Sequence, residues 1–192
     1  MTSIFCLEGD WDDSVRSRES VLPVLELLER LNEAQFYHRD VTTQYELEHH
    51  LAKLRRFSRA RFPVVYLACH GSETDGELKI DLGGSALSLN ELAPLLDGKL
   101  AGRILYLGRM VGTARDHTLM QLADATGARA VVGYTAEVSW LESAAFDLLL
   151  LPRLAAAKRV DTIFRGLLEH NSSMSDAVGL VVATKAKVYR EG

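Results

Sequence analysis

The sequence predicts a three-layer α/β domain in which helices cover both faces of a central, mostly parallel sheet. Three observations carry this expectation. Strand-like apolar segments alternate with helical patterns along the chain, as βαβ units require. PVVYLACHG, residues 63–71, is an almost unbroken apolar run, as expected of a strand covered on both faces. Three segments begin with Ser or Thr followed three residues later by Glu, the reciprocal cap that starts a helix. The length of 192 residues and the 47% apolar content fit one domain over 1–192. A chain of this size buries roughly 70% of its unfolded surface.

SIFCLEG (3–9) is a short apolar strand. RESVLPVLELLERL (18–31) places Val21, Val24, Leu25, Leu27, Leu28 and Leu31 at helical spacing, with Pro23 near the first turn, where it is tolerated. AQFYHRDV (34–41) is strand-like. TQYELEHHLAKLRRF (43–57) is a helix opened by Thr43 and Glu46. PVVYLACHG is the next strand, and GELKIDLGG (76–84) a short strand or hairpin arm. Ser88 and Glu91 open the helix in LSLNELAPLL, and RILYLG (103–108) is again a buried strand. DHTLMQLADATG is a helix ended by Gly127. ARAVVGYT (128–135) is a strand, and Ser139 with Glu142 opens the long helix of SWLESAAFDLLLLPRLAAAK. VDTIFRGLLEHNSSMSDAVG (160–179) reads as helical, and LVVATKAKVYRE (180–191) closes as a strand.

Lys plus Arg total 22 and Asp plus Glu 26, a formal net charge of −4. That balance gives no basis for a nucleic-acid or anionic-membrane partner. The basic stretch KLRRFSRARF (53–62) reads as the solvated end of a helix, with a docking patch as the lesser reading. Cys6 and Cys69, the two cysteines, lie in apolar runs and suit a reducing compartment. MTSIFCLEGDW lacks the basic segment of a signal peptide, and LLLLPRL is too short to span a bilayer. A cytoplasmic protein is the expectation. No cofactor motif is present: Gly83-Gly84 is followed by neither a helix start nor Lys-Ser/Thr, and the adjacent His49 and His50 do not share a helix face, so no metal pair is expected.

In α/β folds of this kind, function gathers outside the carboxyl ends of the strands. That rule selects three turns: EGDWDD (8–13), ACHGSETDG (68–76) and LGRMVGT (107–113). His70 ends an apolar strand and can serve as a general base, and Gly71 can present its backbone N–H to a developing oxyanion. The competing reading is a histidine that caps a strand end. Cys69 is not its partner, because successive strand residues point to opposite faces; a buried structural thiol is expected there.

The ordered set VVYLACHG, then GRILYLGRMVG, then TGARAVVGYTAEVSWLESAAFDLLLL resembles the caspase-like (clan CD) cysteine peptidases, and within them the CHAT-domain branch. The likeness covers residues 60–152. It implies a caspase-like three-layer sandwich with His70 as the base and Gly71 as the oxyanion donor. In that family the next buried strand ends in a Cys nucleophile with a Gly two residues on, a position that falls on Met110, before Gly112. A thioether cannot be deprotonated to attack a carbonyl. The resemblance therefore implies a peptidase scaffold whose cutting step is missing as given, a regulatory or binding protein with a protein or peptide partner. Arg109 would clasp a carboxylate. With Cys at 110, the same resemblance would imply an active cysteine endopeptidase.

Glu8, Asp10, Asp12 and Asp13 crowd the first turn. Three readings stand: an exposed turn with an Asp helix cap, a Mg²⁺ site of a flavodoxin-like signalling module, or a pocket wall in which Asp10 and Asp12 favour a basic residue at the cut site. Trp11 and Trp140 either anchor the core or line a groove.

Overall fold

The computed structural model describes residues 2–11, 16–74, 77–109, 115–160, 162, 166 and 178–190. Its main sheet is built from β1 (Ser3–Glu8), β2 (Gln35–Asp40), β3 (Val64–Ala68), β7 (Ile104–Arg109), β8 (Ala130–Tyr134), β9 (Leu180–Ala183) and β10 (Val188–Arg190). The spatial order is β10-β9-β8-β7-β3-β1-β2. The pairs from β2 to β8 are parallel, and β9 is antiparallel to both of its neighbours. A second, antiparallel sheet holds β4 (His70–Thr74), β5 (Glu77–Asp81) and β6 (Ala86–Ser88).

The strands alternate their side chains between two cores. Phe5, Leu7, Val65, Leu67, Leu105 and Leu107 face one side. There they meet α2 (Gln44–Leu54), α3 (Leu89–Leu96) and α4 (Asp116–Thr126) through Leu47, Leu51, Leu92, Leu96 and Leu119. Ile4, Cys6, Val64, Tyr66, Ile104 and Tyr106 face the other side, against α1 (Leu22–Arg30) and α5 (Trp140–Ala156) through Leu25, Leu28, Phe146, Leu150 and Leu154. Each such buried side chain contributes about 1.5–3 kcal/mol relative to exposure. These are the three layers expected from the alternation of strands and helices.

The three capping boxes are all present: Thr43, Ser88 and Ser139 each accept from the backbone N–H three residues on, and Glu46, Glu91 and Glu142 reach back. Gly127 ends α4 with φ 67°, the left-handed conformation of a helix C-cap. Two readings need correction. The run 63–71 is not one strand. The ladder of β3 stops at Ala68, and His70 begins β4 of the second sheet. The C-terminal segment is two strands, not one, because the Thr184 hydroxyl accepts from the N–H groups of Ala186 and Lys187 and closes a turn between them. The helical reading of 160–179 falls largely outside the described residues. Among the described residues no helix is long and apolar enough to cross a membrane.

Candidate functional site

The site lies at the carboxyl ends of β1 and β3. Glu8, the last residue of β1, is 2% exposed and anchors the chain around it. Its Oε1 accepts from Trp11 Nε1 at 2.5 Å and from the Val21 N–H at 2.7 Å; its Oε2 accepts from Ser20 Oγ at 2.8 Å and pairs with His38 Nε2 at 2.6 Å. Burial pushes its pKa up, but the hydrogen bonds from His38, Trp11, Val21 and Ser20 outweigh that and hold it below the ordinary value. Glu8 thus ties the start of α1 and the Trp11 side chain to the sheet.

Trp11, placed in this way, fixes His70. The two rings meet edge to face with centroids 4.9 Å apart, and the Trp11 carbonyl lies 3.0 Å from His70 Nε2. A carbonyl only accepts, so Nε2 carries the proton and Nδ1 is the basic nitrogen of the neutral ring. Gly71 is the second residue of β4, buried, and opposite Ile80 in register. Cys69 turns the other way, into the core with Leu67 and Leu82, as the opposite-faces expectation required.

Beneath Trp11 and His70 lies a cavity of about 80 Å³ between α1, α5 and the sheet. Trp140 packs edge to face on Trp11 at 4.8 Å, so both tryptophans line a groove. Tyr66 and Tyr134 also line it, and its one buried carboxylate is Asp147 of α5, 1% exposed. Tyr66 donates to Asp147 Oδ2 at 2.6 Å and Tyr106 to Oδ1 at 2.5 Å. Burial dominates these two bonds and pushes Asp147 from 3.8 up to about 6. Asp147 was not singled out from the sequence. Its signal was a lone acid inside AAFDLLLL, on a helix face that must be buried.

At the neighbouring strand end, Arg109 closes β7 opposite Tyr134. Between Tyr106 and Arg109 the register with β8 shifts, the mark of a β-bulge. Gly108 sits inside it at φ 56°, a left-handed conformation that favours glycine, and a Cβ there would press to 3.2 Å from the Tyr66 ring. The Arg109 side chain and Met110 lie outside the described residues, as do Asp12 and Asp13. Asp10 is exposed, and its N–H bonds to the Leu82 carbonyl. Glu8, buried and paired, therefore stands apart from the exposed Asp10.

Glu8, His38 and Asp40 offer ligand atoms within 4.8 Å of one another. Both oxygens of Glu8 already serve two protein donors each, so this trio fits a structural hub and not a metal centre.

Two likenesses place the chain, and no curated protein matches it. Among solved structures, the crystal structure of the Drosophila initiator caspase Dronc matches with a TM-score of 0.52 and 13% identity, over 92% of this chain and 72% of that one. This likeness shows the fold, a caspase-like three-layer sandwich. The profile of the family described as "Family of unknown function (DUF6642)" matches residues 1–182, and the chain belongs to that family.

Proposed function

We propose that this chain is a caspase-like cysteine-peptidase homologue that binds a protein or peptide segment in the cytoplasm without cutting it. In this reading His70 occupies the base position, Gly71 supplies an oxyanion N–H, and Met110 fills the nucleophile position and silences it. Asp10, Asp12 and Arg109 border the bound segment. The CHAT-like character belongs to the same reading.

The observation that supports it best is the state of the two thiols. Cys6 and Cys69 are the only cysteines in the sequence, and both are in the interior. Burial raises the Cys6 thiol well above its ordinary value, and the carboxylates of Glu8, Asp147 and Asp40 add to it. Burial, with Asp81 behind it, pushes Cys69 to about 12. A nucleophilic thiol needs the opposite, a lowered pKa in a partly exposed, electropositive setting. His70 is thus an oriented base without a thiolate to serve.

The test is iodoacetamide labelling of the folded protein followed by mass spectrometry. No modification is expected at pH 7.5, and two equivalents once the chain is unfolded. Fast modification of a single cysteine in the folded state, lost on His70→Ala, would overturn the reading.

A further inference from the structure

We propose that the amino ends of β7 and β8 carry a second site, in which Arg59 and Arg129 hold a phosphoryl group. Strands β3, β7 and β8 are parallel, so this site lies at the opposite end of the sheet from His70.

Charge comes first. Arg103 immediately precedes β7 and is 6% exposed. Its guanidinium donates to backbone carbonyls: Nε to Phe62 at 3.1 Å, Nη1 to Lys99 at 3.0 Å and Nη2 to Phe57 at 2.6 Å. Carbonyls carry no net charge, so this cation is hydrogen-bonded but not neutralised. Arg129 immediately precedes β8, and its backbone N–H donates to the Arg103 carbonyl at 2.9 Å. Its side-chain Nε is buried and has no hydrogen-bond partner among the described residues. Burial, with the charge of Arg59 behind it, lowers the pKa of Arg129. Among the described residues no acid forms an ion pair with Arg59, Arg103 or Arg129. A buried donor without an acceptor and a buried cation without a counter-ion are both costly, and an anion between them removes both costs.

Shape comes second. Arg59, itself exposed, lies over the loop that enters β7. A Cβ at Gly102 would stand 2.8 Å from Arg59 Nη1 and 3.1 Å from its Cδ, so the glycine leaves room for the arginine stem. The bonds from Arg103 to Phe57 and Phe62 fasten the chain on both sides of Arg59. The Gly102 N–H donates to the Gly127 carbonyl at 3.1 Å and joins this loop to the one that bears Arg129. Arg59 is thus seated beside a like charge. Guanidinium forks match phosphate geometry, and neighbouring cations favour a dianion over a single carboxylate. Lys53, Arg55, Arg56 and Arg61 surround Arg59 in a stretch, 53–62, without an acid. The net charge of −4 for the whole chain opposes a long polyanion, which leaves a compact phosphoryl group.

The probe is inorganic phosphate, added to the whole chain at constant ionic strength with sodium chloride as the reference. Thermal unfolding should move upward with phosphate and follow a single-site curve with a Kd of about 1 mM or tighter. Arg129→Met keeps the length, removes the charge and should abolish the response. Arg59→Ala, at an exposed position where folding is not at stake, should weaken binding about tenfold. Arg55→Ala should leave it unchanged. Calorimetric titration with acetyl-Ala-phosphoserine-Ala-amide and its serine counterpart separates the two sources of the group. Tighter binding of the phosphopeptide than of phosphate assigns the site to a phosphorylated protein, and equal binding assigns it to the free anion; either supports a phosphoryl site. An equal shift with chloride, a response undiminished in Arg59→Ala, or an equal loss in Arg55→Ala would overturn it.

Discussion

Glu8 and Asp147 are two buried carboxylates near the same end of the same sheet, and they behave in opposite ways. Glu8 is 2% exposed and meets four donors; Asp147 is 1% exposed and meets two. Burial raises both, yet the net shift is downward for Glu8 and upward, to about 6, for Asp147. Deeper burial and fewer donors together raise Asp147, whereas four donors outweigh the burial of Glu8, because each hydrogen bond to the ionised form offsets part of its lost hydration. A carboxylate with its acceptor positions filled is a structural tie. One with two donors in the core carries a strained charge instead.

The largest effect should follow from Glu8→Gln. The amide nitrogen replaces one oxygen and turns a donor either toward Trp11 and the Val21 N–H or toward Ser20 and His38, and a loss of about 3 kcal/mol is expected. Thermal unfolding at pH 7.5 should show a Tm lower by about 6–12 °C. Asp147→Asn at the same pH should cost nothing or stabilise, since it removes an uncompensated charge. Equal losses in the two variants would make both acids structural ties.

Stability against pH separates the pair further. The raised pKa of Asp147 means that the folded state binds a proton the unfolded chain has released, between 3.8 and about 6. Its contribution is full below 3.8 and is lost as pH rises through about 6. Lowering the pH from 7.5 to 5 should therefore add about 1 kcal/mol. In Asp147→Asn that gain should vanish. Glu8 acts with the opposite sign: its contribution is present above its unfolded value of 4.5 and is lost as pH falls through the lower folded value. Denaturant midpoints across pH 3–8 would resolve the two limbs. A local loss is expected from Ser139→Ala, which removes the cap of α5, the helix that carries Trp140 and Asp147. It should cost about 1 kcal/mol in thermal unfolding.

Which parts could be read from the sequence follows from the range of the interactions. The caps at Thr43, Ser88 and Ser139 and the αL glycine at 127 depend on residues three or four apart, and all were legible. So was the alternation that makes the three layers. The end of β3 was not, since PVVYLACHG stays apolar through the break at Cys69, where the chain leaves one sheet for another. The tie at Glu8 draws on residues 12, 13 and 30 positions away, and the floor of the cavity joins residues 41 and 81 apart. No local pattern announces those. His70 was found from its place before a glycine, but its orientation by the Trp11 carbonyl needed the fold.

The most direct test of a silenced caspase-like site uses a peptide acyloxymethyl ketone with arginine at the cleavage position. It would be applied to the unmodified protein, to Met110→Cys, and to Met110→Cys combined with His70→Ala. Labelling of Met110→Cys alone, lost when His70 is removed, is the expected result. Labelling of the unmodified protein, or equal labelling with and without His70, would contradict it.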